Sequence, residues 1–321
     1  MKIKILSIVM VSLVTLSIFM SSASSSVRSI KSMEIENNVI YVDDDYNSST
    51  PGWQINRFDK IQDAIDATSN SDTVFVSNGE YNEELIIEKT LTLEGESNAH
   101  TKIKAAQKND VITVEAENVT IKNFTIDGKG QFIHGINIKN DNCTIVNNII
   151  INNSRSILGR NGTLIINNVI YDGISCSGSF NIINNQILGI GSRNPYCIWT
   201  NSCEDSIIDS NYINNPEKDN QDFITWGLLI SDCKGLEIKN NDIKNFSFGI
   251  YLSGCFRTII ENNNILDCGV GAWCSQSYFN IWHQNYWGRS HLLPKPIFGT
   301  RGVFGLIPWI NFDWQPARNP N

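Results

Sequence analysis

The chain has 321 residues, 41% of them hydrophobic, which is enough for a continuous core and argues against global disorder. Its formal charge of −8 repels phosphate backbones and anionic lipid, so nucleic acid is not an expected partner. Eight cysteines occur without any CxxC spacing, which leaves a zinc ribbon or a thioredoxin-type redox motif unsupported.

Residues 1–23 read as a secretory signal. Lys2 and Lys4 precede an apolar stretch from Ile5 to Met20, and Ser21-Ser22-Ala23-Ser24 suits cleavage after Ala23. Ser7, Ser12, Thr15 and Ser17 dilute the stretch, and it is short for a membrane span; an uncleaved anchor is the alternative. No later segment is long and apolar enough to cross a bilayer, so the expected location is secreted or cell-surface. Residues 24–37 read as a disordered leader and 38–321 as one domain.

Within that domain, 38–97 reads as an N-terminal cap with the first coils. NVIYVDDD (38–45) is a strand. INRFDKIQDAIDATS (55–69) places Ile55, Phe58, Ile61 and Ile65 on one helical face, suited to a helix laid over an open core. TVFVSNGEYNEELIIEKTLTLEGES (73–97) continues as short strands with a Gly turn.

The coils follow at 98–287. The template Ile-x-Asn-Asn-x-Ile recurs as IVNNII (145–150), IINNVI (165–170), IINNQI (182–187), IDSNYI (208–213), IKNNDI (238–243) and IENNNI (260–265). Degenerate copies stand at 121–126 and 282–287. The copies are 17 to 30 residues apart, with short β-branched stretches broken by Asn, Gly or Ser. That pattern describes a solenoid of short strands whose coils stack roughly 4.8 Å apart into parallel sheets. The second Asn of each template (148, 168, 185, 211, 241, 263, 285) is expected at a bend needing left-handed φ, with the amides hydrogen-bonding up the column. Gly135, Gly173, Gly227, Gly249 and Gly271 suggest a second bend. Cys203, Cys233 and Cys255 each stand five residues before a template Ile, so a Cys233–Cys255 bridge and a column of free thiols are both open, with free thiols preferred.

Residues 288–321 break the repeat. Their Pro and Gly content argues against regular strands, and Trp282, Trp287, Trp309 and Trp314 supply apolar bulk for a C-terminal cap.

The strand at 38–45, a helix ending Ala-Ile-Asp-Ala, then DTVFVSNGEYNEELII and KTLTLEGES resemble the N-terminal entry of right-handed parallel β-helix proteins with the pectin-lyase-like fold. The Asn-rich coils are similar to the NosD-like group, named for a periplasmic protein of copper-enzyme maturation. The resemblance spans roughly 38–290. It implies an all-β chain, a single right-handed parallel β-helix with an N-terminal capping helix and an irregular aromatic C-terminal cap.

That fold hosts many activities, so function has to be read from particular residues. The Asn-Thr-Asp and Gly-His-Gly elements of polygalacturonase-like hydrolases are absent. Gln62-Asp63 and Gln221-Asp222 match the esterase-like pattern only as dipeptides. Asp172, Asp222 and Asp232 remain as candidate acids for a lyase or glycoside hydrolase with an unfamiliar site, and calcium or copper as candidate ions. For copper, the resemblance leaves His283 and His291, next to Trp282 and Trp287. No cofactor is expected and a non-catalytic protein is preferred. The foremost expectation is an outward strip of Trp199, Leu229, Tyr251 and Trp273 on successive coils, with Trp226 nearby. The insertions at 188–196 and 214–223 flank it. Such a strip suits stacking on the sugar faces of a polysaccharide or cell-surface glycan; insertions folded over the aromatics are the other outcome.

Overall fold

The architecture follows from a coil too short to bury its own apolar residues, so that every coil must cover the one below. The structure, a computed structural model, describes residues 38–321 apart from 131–132, 190–194, 218–222 and 303–304. The expected signal and leader lie outside the described residues. Among those described, no helix is long and apolar enough to cross a membrane.

Each complete coil carries three strands. In one coil these are His134–Ile138, Thr144–Val146 and Ile149–Ile151, and each pairs in parallel with its counterparts above and below. The stack containing His134–Ile138 holds the longest strands, of five to seven residues toward the C-terminal end. The three stacks enclose columns of isoleucine: Ile145, Ile165, Ile182, Ile208, Ile238 and Ile260 in one, and Ile150, Ile170, Ile187, Ile213 and Ile243 in another, all inaccessible to solvent. Each such side chain contributes about 1.5–3 kcal/mol of transfer free energy.

The two asparagines of the template divide the corner between them. The first residue of the pair takes the left-handed conformation: Asn147 has φ 57°, Asn167 57°, Asn184 54°, Ser210 56°, Asn240 55°, Asn262 55° and Gln284 51°. The second, expected at that bend, does not. It points inward and forms the ladder. Asn148 donates its Nδ2 to the Asn168 Oδ1 at 3.2 Å, and the same bond links Asn168 to Asn185, then Asn211, Asn241, Asn263 and Asn285 at 2.9–3.0 Å. Each Oδ1 also accepts the backbone N–H of the Asn one coil earlier. All the amides point the same way, and the column ends on a carboxylate. Asp313 Oδ2 accepts from Asn285 N, Asn285 Nδ2 and Trp287 Nε1.

The glycine column is corrected in part. Gly173 has φ 85° and sits at a bend, but Gly135, Gly227, Gly249 and Gly271 lie within long strands. There the coils approach too closely for a side chain: a Cβ on Gly249 would lie 2.6 Å from the Gly271 carbonyl oxygen.

At the N-terminal end the helix is shorter than its apolar spacing predicts. It spans Ile61–Ala67 and buries Ile61, Ala64 and Ile65. Phe58 belongs instead to a two-residue strand paired with Val39–Val42, and Ile55 is 76% exposed. The Glu83 carboxylate, one coil on, accepts the N–H groups of Ile61 and Gln62 and so closes the helix start.

The C-terminal cap is regular where strands were not expected. Lys295–Arg301 and Ile307–Asp313 form an antiparallel hairpin that adds to the last coil through Cys274↔Gly299 and Trp282↔Asp313. Hairpin pairing with the coil edge supplies backbone partners that outweigh the local Pro and Gly signal. Trp282 and Trp287 are buried as a capping role requires, whereas Trp314 is 67% exposed. The cysteine column bridges one step earlier than considered, as Cys203–Cys233 with Cα atoms 4.4 Å apart, and Cys255 is a buried free thiol.

Candidate functional site

Strand alternation turns every second residue of the long-strand stack outward, and coil stacking lines these residues up. One outward column runs Ile86, Thr113, Asn137, Leu158, Ser175, Trp199, Leu229, Tyr251 and Trp273 in continuous register. The expected aromatic positions are therefore one above another. A second column, three residues earlier in the strand, was not anticipated beyond Trp226: Tyr196, Trp226, Phe248 and Val270 are register partners on the same four coils.

The two columns make one half-buried apolar strip. Tyr196 and Trp199 pack with centroids 5.7 Å apart, Trp226 and Phe248 stack at 6.3 Å with 16° between planes, and Phe248 meets Tyr251 edge-on at 5.8 Å. From Trp199 to Trp273 the strip covers three coil steps, roughly 14 Å. The bases of the two flanking insertions are tied together by a bond from Trp226 N to Pro195 O at 2.7 Å. The insertion tips at 190–194 and 218–222 are outside the described residues.

Toward the N-terminal end the strip becomes polar. Arg155 donates Nη2 to the Tyr196 hydroxyl, and its guanidinium lies 5.5 Å from the Tyr196 ring and 5.3 Å from the Trp199 ring. Its register partner on the preceding coil is His134. His134 Nδ1 is 2.9 Å from Asp110 Oδ1, and the same carboxylate accepts His134 N at 2.8 Å and Asn137 Nδ2 at 2.7 Å. Burial pushes the Asp110 carboxyl up, but the bonds from His134 and Asn137 together outweigh it and hold its pKa at about 2. An ionised acceptor there places the imidazole proton on Nδ1 and leaves Nε2 for a ligand or water. The pair lines a cleft of about 510 Å³ with Lys108, Thr113, Glu115 and Lys139. No motif marks it; the usable signal is a separation of 24 residues, one coil, between an acid and a histidine.

The remaining candidates are not brought together. Asp172 precedes the long strand of its coil, and Asp232 follows the long strand two coils on, six positions farther along the shared register. That is roughly 20 Å along the strand direction, too far for paired acid–base work. Asp222 lies outside the described residues. His283 is on an outer strand position, whereas His291 lines a separate recess with Arg289 and Lys295. Among the described residues, no group of three or more His, Cys, Asp or Glu is arranged to hold a metal ion.

Residues 172–287, the coils that carry the aromatic strip, match the family model described as a right handed beta helix region. The chain is a right-handed parallel β-helix. Its coils are similar in fold to the A-module of the Azotobacter vinelandii mannuronan C-5 epimerase AlgE4, with TM-score 0.56 and 17% identity over 70% of this chain and 82% of that one. The β-helix is likewise similar in fold to XylC in its complex with xylose, with TM-score 0.55 and 11% identity over 86% of this chain and 73% of that one. In sequence, 97 residues are 37% identical to a cell surface glycoprotein of Methanothermus fervidus. That match covers 30% of this chain and only 16% of the glycoprotein.

Proposed function

We propose that this β-helix is a surface-exposed, glycan-binding protein that holds an extended carbohydrate along the strip from Arg155 to Trp273. The observation that carries the reading is the double column of half-buried apolar side chains in unbroken register over four coils, aromatic at every position but Leu229 and Val270. Regularly spaced ring faces bind sugars by stacking, and Arg155 offers a hydrogen-bonding cation at one end. The surface location is supported by the likeness to a cell surface glycoprotein and by the leader-like N-terminal sequence. Glycan-array binding followed by calorimetry tests it. Trp199→Ala and Trp273→Ala, which touch opposite ends of the strip, should each weaken binding about tenfold or more. Absence of binding to any glycan by the unmodified protein would reduce it to a scaffold.

One observation favours a second reading, a carbohydrate-active enzyme. The oriented His134–Asp110 pair opens into the cleft on the same sheet face as the strip, a geometry fit for general-base activation of water or a hydroxyl. His134→Gln should then leave glycan affinity within about twofold while lowering turnover about 100-fold or more. Equal turnover in that variant would remove the reading.

A further inference from the structure

His291, only a candidate metal ligand in the sequence, has surroundings unsuited to a cation. It converges with Arg289 and Lys295 in a recess of about 180 Å³ at the C-terminal end of the coils, beside Gly271 and Trp287. Among the described residues none of these three side chains makes an ion pair, in a chain whose formal charge is −8. Asp267 is the carboxylate lining the recess. Asp313 lies close enough to act on His291, but its Oδ2 is already taken by Asn285 and Trp287. Burial lowers the His291 pKa, and Lys295 and Arg289 lower it further. Lys295 is likewise depressed, by burial first and then by Arg289. Cations crowded in this way repel a metal ion and gain free energy from an anion placed among them.

We propose that Arg289, His291 and Lys295 form a binding site for a small oxyanion: sulfate, phosphate, or a carboxylate. The site stands independently of the glycan reading. Its position nevertheless gives the anion two sources. Val270, the last member of the Tyr196–Trp226–Phe248 column, lies between Gly269 and Gly271 of the recess, which makes an acidic group on a sugar bound at that end of the strip the second source to test.

The experiment follows the His291 ring by NMR across pH, assigned with His291→Gln, at constant ionic strength set by chloride. Linkage requires that a bound anion make His291 more basic; sulfate or phosphate at tens of millimolar should raise its proton affinity roughly tenfold, with saturation. The response should be abolished in the doubly substituted Arg289→Gln, Lys295→Gln protein, whose unchanged thermal unfolding checks that the cap is intact. Glucuronate against glucose separates the sources. A stronger response to glucuronate than to sulfate assigns a sugar-borne carboxylate, and a response to the inorganic anions alone assigns a free ion. No saturable change with any of the anions, or the same change in the double variant, would overturn the proposal.

Discussion

Asn148 and its six successors do two jobs at once: each satisfies a neighbour's buried backbone N–H and passes its own amide protons onward. Removing one therefore orphans more than one group. Asn211→Ala takes the acceptor from the Asn185 N–H and the amide donor from the Ile182 carbonyl, each costing about 1–3 kcal/mol, while Asn185 Nδ2 keeps the Ile165 and Ile183 carbonyls. A loss of at least about 2 kcal/mol in urea unfolding is expected. Asn240→Gly, on the left-handed half of a corner, should stay within about 0.5 kcal/mol, since Gly takes the same φ without strain. Equal effects would contradict the division of roles at the corner. Asp110 supplies a pH test at the same scale. Its folded pKa, about 2, lies below the unfolded value near 3.9, so its stabilisation is present above about pH 4 and lost as pH falls toward 2. The stability gap between the unmodified protein and Asp110→Asn should close over that window; a gap independent of pH would deny the charged pairing with His134.

Strands and caps depend on what the neighbouring coil presents. Gly249 reads in sequence as a turn former, yet its glycine is demanded by the carbonyl of Gly271 on the next coil. The helix at Ile61–Ala67 shows the same dependence. An apolar spacing that begins at Ile55 loses its first turn because Arg57–Phe58 pairs with Val39–Val42, and a backbone ladder outweighs a short helical turn. Burial between coils also sets the cysteine chemistry. Burial pushes the thiol pKa of Cys176 and Cys274 to about 12 and that of Cys255 to about 11, and raises Cys197 and Cys143 as well. Native protein treated with iodoacetamide should label Cys268 at most. Unfolding without reductant should expose six thiols, and reduction should add Cys203 and Cys233. Eight thiols before reduction would contradict the bridge.

Over the whole molecule the repeated residues build a scaffold, and chemistry is placed by what departs from the repeat. Coil on coil, the same sheet face passes from the charged cleft of Asp110 and His134, through Arg155, to the aromatic strip, and ends beside the cationic recess. The solenoid architecture was legible without coordinates because each coil sees nearly the same environment. The Ile-x-Asn-Asn-x-Ile template therefore recurs, and the outward register of Trp199, Leu229, Tyr251 and Trp273 follows from it. Partnerships between coils were not legible in the same way. They depend on side chains 20 to 30 residues apart coming into register through loops of differing length. Tertiary structure alone pairs His134 with Asp110, joins Cys203 to Cys233, separates Asp172 from Asp232 and folds the last residues into a hairpin. It also sets His291, a candidate metal ligand in the sequence, beside the cations Arg289 and Lys295. Local spacing carries the periodic part of the fold, because one strand-and-turn unit suffices to specify it. Electrostatics and close approach depend on distances across the stack, which exist only once the coils are wound.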